Sequence, residues 1–131
     1  MWVVRGAVSC AYLNRRHALL EDALIAQGSV ESVRPSLRTI VARALQANAS
    51  ALIAAHNHPS GVAEASESDR LLTQDMITAI RPLGLKLLDH VIVAADTTFS
   101  FADSGLLDEL ELLCLAPGGS RRQTRFSRET K

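Results

Sequence analysis

Apolar positions along the chain fall in short runs divided by turn residues. Val3 to Leu13 is the first run, bounded by Asn14-Arg15-Arg16, and it predicts a strand followed by a tight turn. Ala18 to Ala26 suits a hairpin partner, although Leu, Ala and the Glu21-Asp22 pair also permit helix; Gly28 ends it. Pro35 and Ser36 stand where a helix begins. Ile40, Val41, Ala44 and Leu45 then recur at helical spacing, with Asn48 as the stop. Ala51 to Ala55 is a continuous apolar run that fits a strand buried on both faces.

Pro59 and Gly61 break that run. Ser66 opens a second helix whose apolar face is Leu71, Leu72, Met76, Ile77 and Ile80, ended by Pro82 and Gly84. Leu85 to Ala94 reads as a strand, turning through Ala95-Asp96-Thr97-Thr98 into a short partner from Phe99 to Phe101. Gly105 to Leu115 is helical, with Leu106, Leu107, Leu110, Leu113 and Cys114 on one face. Leu112 and Leu115 lie elsewhere, which predicts a partner on more than one side. Alternating strands and helices give an α/β class, a small mixed sheet covered by helices.

The chain has 131 residues, which suits one domain, and 47% hydrophobic with 21% charged residues reads as globular. Lys plus Arg and Asp plus Glu both total 14, so the whole chain is not a basic nucleic-acid binder. The zero net charge is a cancellation. Residues 1–119 carry 9 basic and 13 acidic groups, whereas 120–131 carry 5 and 1. The basic groups of the tail are Arg121, Arg122, Arg125, Arg128 and Lys131, and a short basic end of this kind is usually solvated. No apolar run approaches membrane-span length, and Arg5 interrupts the apolar start with no clear cleavage site after it, so no membrane role and a cytoplasmic location are expected. Cys10 and Cys114 are expected to be reduced thiols.

Chemistry concentrates in residues 55–70, AHNHPSGVAEASESDR. His56 and His58 are two apart at a strand end, so both imidazoles point to one side and Asn57 to the other. Asp69 follows in the first turn of the next helix, where its side chain tilts back toward the preceding loop. Two nitrogens, one oxygen and a water make a tetrahedral zinc site with an open position, the mark of a catalytic zinc. Ser66 stands at the rim, where its hydroxyl could donate to an oxyanion. Asn57 and Ser60 more naturally tie the loop. A His-x-His pair alone is often incidental, and Ser66-x-x-Asp69 alone reads as a helix cap with an acidic third residue. The joint spacing of all four, with Pro59 and Gly61 between, favours a metal site. The Cys-x-x-Cys of zinc deaminases is absent. His90, following Asp89 in a strand, is expected to be a structural histidine held by a neighbour, and His17 to be exposed.

His56-Asn57-His58-Pro59-Ser60-Gly61 with Ser66 and Asp69 resembles the JAMM (MPN+) metalloprotease motif, and its wording is closer to the RadC-like branch, bacterial proteins historically called DNA repair proteins. Gly28-Ser29-Val30, Arg38, Ala44-Leu45, the run Leu87-Leu88-Asp89-His90-Val91-Ile92-Val93, Ser100-Phe101 and Gly105-Leu106-Leu107 also resemble that branch. The likeness covers about Arg5 to Leu107. It implies a JAB/MPN, cytidine-deaminase-like architecture over residues 1–107. Residues 108–131 then form an extension, a Leu-rich helix to about 116 and a mobile basic tail. It further implies Zn2+ held by His56, His58 and Asp69, Ser66 as the oxyanion donor, and hydrolysis of peptide or isopeptide bonds.

The family mechanism also implies an upstream Glu as general base. Counting back without gaps from Gly28 places Arg5 on the family's Arg and Gly6 on the Glu position. Three readings stay open: another register, entry of Glu21 or Glu31, or a domain that binds metal without efficient hydrolysis. Leu37 replaces the family's Pro before Arg38, and the helical region that many relatives carry in front is missing from this sequence. The expected partner is a protein or peptide substrate, with DNA association and a homodimer as further expectations.

Overall fold

The computed structural model describes residues 6–27, 35–58 and 62–115. Strand β1 (Val8–Leu13) buries Val8, Cys10 and Tyr12 and leaves Ser9 and Ala11 half-buried, the alternation a one-sided strand requires. Among the described residues it begins at Val8, after Gly6 at a positive φ of 61°; Val3 to Arg5 of the expected run lie outside them. Strand β2 (Leu19–Ala26) settles the open choice between strand and helix. It pairs antiparallel with β1 across a turn in which Asn14 Oδ1 accepts from the N–H groups of Arg16 and Ala18, both at 2.9 Å. Cross-strand pairing outweighs the helix propensity of Leu and Ala. His17 lies exposed in that turn.

Helix α1 (Leu37–Gln46) begins where Ser36 Oγ accepts from the Thr39 N–H (3.2 Å). It ends at Ala47, after which Asn48 takes the left-handed conformation at φ 57°. Ile40 and Ala44 are fully buried, whereas Leu45, a further 100° around the helix, is exposed. Strand β3 (Ala51–Asn57) lies between β1, antiparallel, and β4 (Lys86–Val93), parallel; β5 (Thr98–Ser100) closes the order β2-β1-β3-β4-β5. The expected burial of β3 on both faces holds for one: Leu52 and Ala54 are buried, while Ile53 and Ala55 are only half covered. β5 is shifted by one from its expected span, and Phe101 starts the following turn with its ring wholly buried.

Helix α2 (Glu67–Ile80) connects the parallel pair, followed by a short 3-10 turn, Arg81–Leu83, and Gly84 at φ 78°. Its buried face runs through Asp69, Thr73, Met76, Ile77 and Ile80. The stripe therefore passes through two polar residues, and Leu71, assigned to it on hydropathy, is 43% exposed. Helix α3 (Leu106–Leu115) buries Leu106, Leu107 and Leu110. Leu112, Leu113 and Leu115 are exposed, so Leu113 is not on the buried face and no second partner covers this helix among the described residues. Gly28, Ser29, Val30, Glu31, Pro59, Ser60, Gly61 and the basic tail lie outside the described residues.

One core joins the sheet to the helices through Tyr12, Ile40, Leu52, Met76, Ile80, Leu87, Ile92 and Phe101. Both cysteines are free thiols; burial pushes the Cys10 thiol up to about 12, which keeps it protonated and inert. No described helix is long and apolar enough to cross a membrane.

Tyr12 is fully buried in this core, and its hydroxyl donates to the Ile40 carbonyl at 2.9 Å, tying β1 to α1. Tyr12→Phe is expected to destabilise the fold by about 1–2 kcal/mol, measured by urea unfolding, because the carbonyl is left without that donor.

Candidate metal centre

The carboxyl end of β3 and the amino end of α2 meet at Asp69. The His56 and His58 rings, 5.3 Å apart between centroids, both turn toward it. His56 Nδ1 lies 2.6 Å from Asp69 Oδ1 and His58 Nε2 lies 3.4 Å from Asp69 Oδ2. One ligand atom from each residue falls within 4.8 Å of the others. The sequence places these three together, and the structure brings them together. The location follows the rule for open α/β sheets, in which sites form beyond the carboxyl ends of the parallel strands.

Asp69 is only 1% exposed, so its carboxylate must find partners inside the protein. Ser66 supplies two: its N–H donates to Oδ2 at 2.9 Å and its hydroxyl donates to the same oxygen at 2.8 Å. Ser66 Oγ in turn accepts from the Asp69 N–H at 3.1 Å, completing a capping box. Burial alone would raise the Asp69 carboxyl. The His56 ring and the two Ser66 donors outweigh it and hold the group well below the usual carboxylate range. An ionised carboxylate only accepts, so His56 Nδ1 carries the hydrogen in their contact.

The donor set fits a divalent transition metal. Two imidazoles and one carboxylate, converging at the mouth of a strand end, are a combination used for catalytic zinc. One nitrogen from each of His56 and His58 and an Asp69 oxygen would ligate, His56 Nδ1 only after giving up the hydrogen it directs at Asp69. Ser66 stands at the rim as the sequence places it, with its hydroxyl proton committed to Asp69.

The carboxylates offered as a general base fare differently. Glu21 pairs across the sheet with Tyr12, and Tyr12 with Leu52, four residues before His56. That is about 13 Å along the strands from the site. Its carboxylate is held at 2.8 Å by Arg43 of α1. Glu21 therefore does not enter the site. Gly6 does stand beside it: β1 runs antiparallel to β3 with Val8 opposite His56, and the Asn57 N–H donates to the Ala7 carbonyl at 2.8 Å. The chain at Gly6 is thus carried past His58.

Behind the three ligands lie residues that hydropathy did not reveal. His90 is fully buried, stacked on Phe101 (4.8 Å) and facing His56 (6.4 Å), with Nδ1 2.6 Å from Thr73 Oγ1. It is a hydrogen-bonded histidine apart from the ligand set, as expected. Asp89 accepts from the His90 and Ala102 N–H groups and from the Ser100 hydroxyl, which fixes the turn after β5. The Asp69-x-x-x-Thr73 spacing on one helix face was the available signal for Thr73.

Burial lowers the His90 imidazole from 6.5 to about 4, the Asp69 charge opposing only in part. The unfolded chain therefore binds the extra proton between those values, and stability rises with pH across that window. In the metal-free protein, stability present above about 6.5 is expected to fall as pH drops toward 4, by on the order of 3 kcal/mol. Urea unfolding at stepped pH checks this, with the slope reduced in His90→Asn.

The sequence pattern of the RadC-like JAB domain matches residues 2–106. A UPF0758 protein of Coxiella burnetii is 41% identical over 99 residues, 76% of this chain and 44% of that protein. One of Burkholderia mallei is 46% identical over 101 residues, 77% of this chain and 36% of that protein. A third, of Vibrio parahaemolyticus, is 39% identical over 101 residues, covering 77% and 45% respectively. The chain thus spans less than half the length of these relatives. With the matched pattern covering most of its length, the chain belongs to the RadC-like JAB domain family.

Proposed function

We propose that this domain is a zinc-dependent hydrolase of the JAMM metallopeptidase type, acting on peptide or isopeptide bonds. The observation that carries the reading is the convergence of His56, His58 and Asp69 within 4.8 Å, on a scaffold belonging to the JAB family. A zinc ion held by these three would supply Lewis acidity, polarising a carbonyl and lowering the pKa of water toward ~7. The protein's own part begins with Asp69, whose Oδ2 is held by the Ser66 N–H even when the Ser66 hydroxyl turns away. That hydroxyl is then free to donate to the oxygen of a substrate carbonyl as negative charge develops there. His56 stays oriented because β3 is paired on both sides, by β1 and β4, and the His58 backbone is tied to β4 where its N–H donates to the Val93 carbonyl at 2.7 Å.

One observation favours a second reading, a metal-binding module without efficient hydrolysis. Gly6 lies beside the ligand row and has no side chain to take a proton, and Glu21 is bound elsewhere by Arg43. A missing general base costs roughly 10²–10⁴-fold in rate.

Metal analysis and a panel of peptide and isopeptide substrates separate the two. Purified protein is expected to hold about one zinc per chain by the three-ligand stoichiometry, and His58→Ala to lose it. On the hydrolase reading, cleavage by the parent is zinc-dependent and vanishes in His58→Ala. A zinc-loaded parent that cleaves nothing, together with activity gained in Gly6→Glu, establishes the second reading instead. Zinc-free parent protein sinks both.

A further inference from the structure

Every polar atom of Asp69 except Oδ1 is held by a partner from its own helix. Ser66 takes the N–H and Oδ2, and the Thr73 hydroxyl donates to the Asp69 carbonyl at 2.7 Å. Thr73 is fully buried, and its Oγ1 also lies 2.6 Å from His90 Nδ1. A hydroxyl has one proton to give. With that proton on the Asp69 carbonyl, His90 Nδ1 must carry its own hydrogen and donate to Thr73. The reverse tautomer would put a hydrogen on His90 Nε2, which is buried and has no hydrogen-bond partner. An orphaned buried donor is rarer and costlier than an orphaned lone pair, so the Nδ1–H form is selected.

We propose that His90 and Thr73 are positioning residues for the metal centre, setting the first turn of α2 against the sheet through this chain of hydrogen bonds. The ligands come from two elements, β3 and α2. His90 lies on β4 and pairs with Ala54, two residues before His56 on the adjoining parallel strand. The His90–Thr73 bond therefore locks the element carrying Asp69 to the strand pair carrying the histidines, at a point one helical turn past Asp69. Thr78 makes the same local bond to its own helix, to the Gln74 carbonyl at 2.9 Å, at an exposed position where its second contact is Cys114 of α3 (3.5 Å), remote from the ligands, and no histidine. A threonine tied to its own helix without a link to the histidine strands does not position a ligand, and Thr78 serves as the internal control. The inference rests on the reading of His56, His58 and Asp69 as a metal site and is independent of hydrolysis.

The test is zinc affinity, by competition with a chromophoric chelator, and the visible absorption of the cobalt(II)-loaded protein. Thr73→Val is expected to bind zinc roughly 10–100-fold more weakly and to alter the cobalt spectrum. Thr73→Ser, which keeps the hydroxyl, is expected to restore both, and Thr78→Val to change neither. Unaltered affinity in Thr73→Val, or a Ser variant as weak as the Val variant, overturns the proposal. If Thr73→Val does not fold, the ring 1H–15N correlation of His90 in the intact parent decides: an Nδ1–H ring supports the lock and an Nε2–H ring overturns it. A parent that binds neither zinc nor cobalt overturns the metal reading and this inference together. That outcome is distinct from a parent that binds and variants that match it.

Discussion

A carboxylate buried as deeply as Asp69 is tolerated only when its lone pairs are used, because an unpaired buried charge costs several kcal/mol. Ser66 satisfies Oδ2 with two donors and His56 satisfies Oδ1. Meeting those demands fixes where α2 begins, since Ser66 must be its capping residue. It fixes where the helix points, since Asp69 must reach His56 at the end of β3. The favourable end of the helix dipole also lies at this carboxylate. Helix start, strand end and ligand convergence are thus consequences of one buried charge.

The sheet delivers the remaining parts to that charge. Parallel pairing of β3 and β4 with α2 between them sets the carboxyl end of β3 beside the amino end of α2. Antiparallel pairing of β1 carries Gly6 to the same end and sends Glu21, through β2, to the other. β4 contributes from behind. Asp89 gathers the turn after β5, and His90 reaches inward to Thr73. The adjoining Asp89 and His90 therefore serve two different elements from neighbouring positions.

What was legible in the sequence is what depends on local geometry. His56, His58, Ser66 and Asp69 fall within one strand end and one helix start, where the two-residue and helical periods place side chains without knowledge of the rest. The hairpin choice for residues 18–26 was not legible, because Leu19 to Ala26 has helix formers and only pairing with β1 decides. Leu45, Leu71 and Leu113 fit the core on hydropathy and are exposed. On α2 the true buried stripe runs through Asp69 and Thr73, so an apolar count rotates the face in the wrong direction. Thr73 with His90 was hidden for a related reason. Their meeting depends on the register of β4 against β3, which slips between Leu52 and Ile53, and no short-range pattern encodes that slip.

The ligand set and the proton acceptor stand in different relations to the fold. His56, Ser66, Asp69, Thr73 and His90 are joined by hydrogen bonds and ring stacking inside the packed sheet-helix interface, so removing any of them disturbs a capped helix or leaves a buried polar atom unpaired. Position 6 is different. It precedes β1, takes a positive φ that glycine adopts without strain, and supplies no side chain to the core. A Glu there would bear the left-handed backbone cost of about 1–2 kcal/mol unless the chain turned differently. The folded state therefore depends on His56, Ser66 and Asp69 whether or not the domain hydrolyses anything, whereas a carboxylate at position 6 would add nothing to the core.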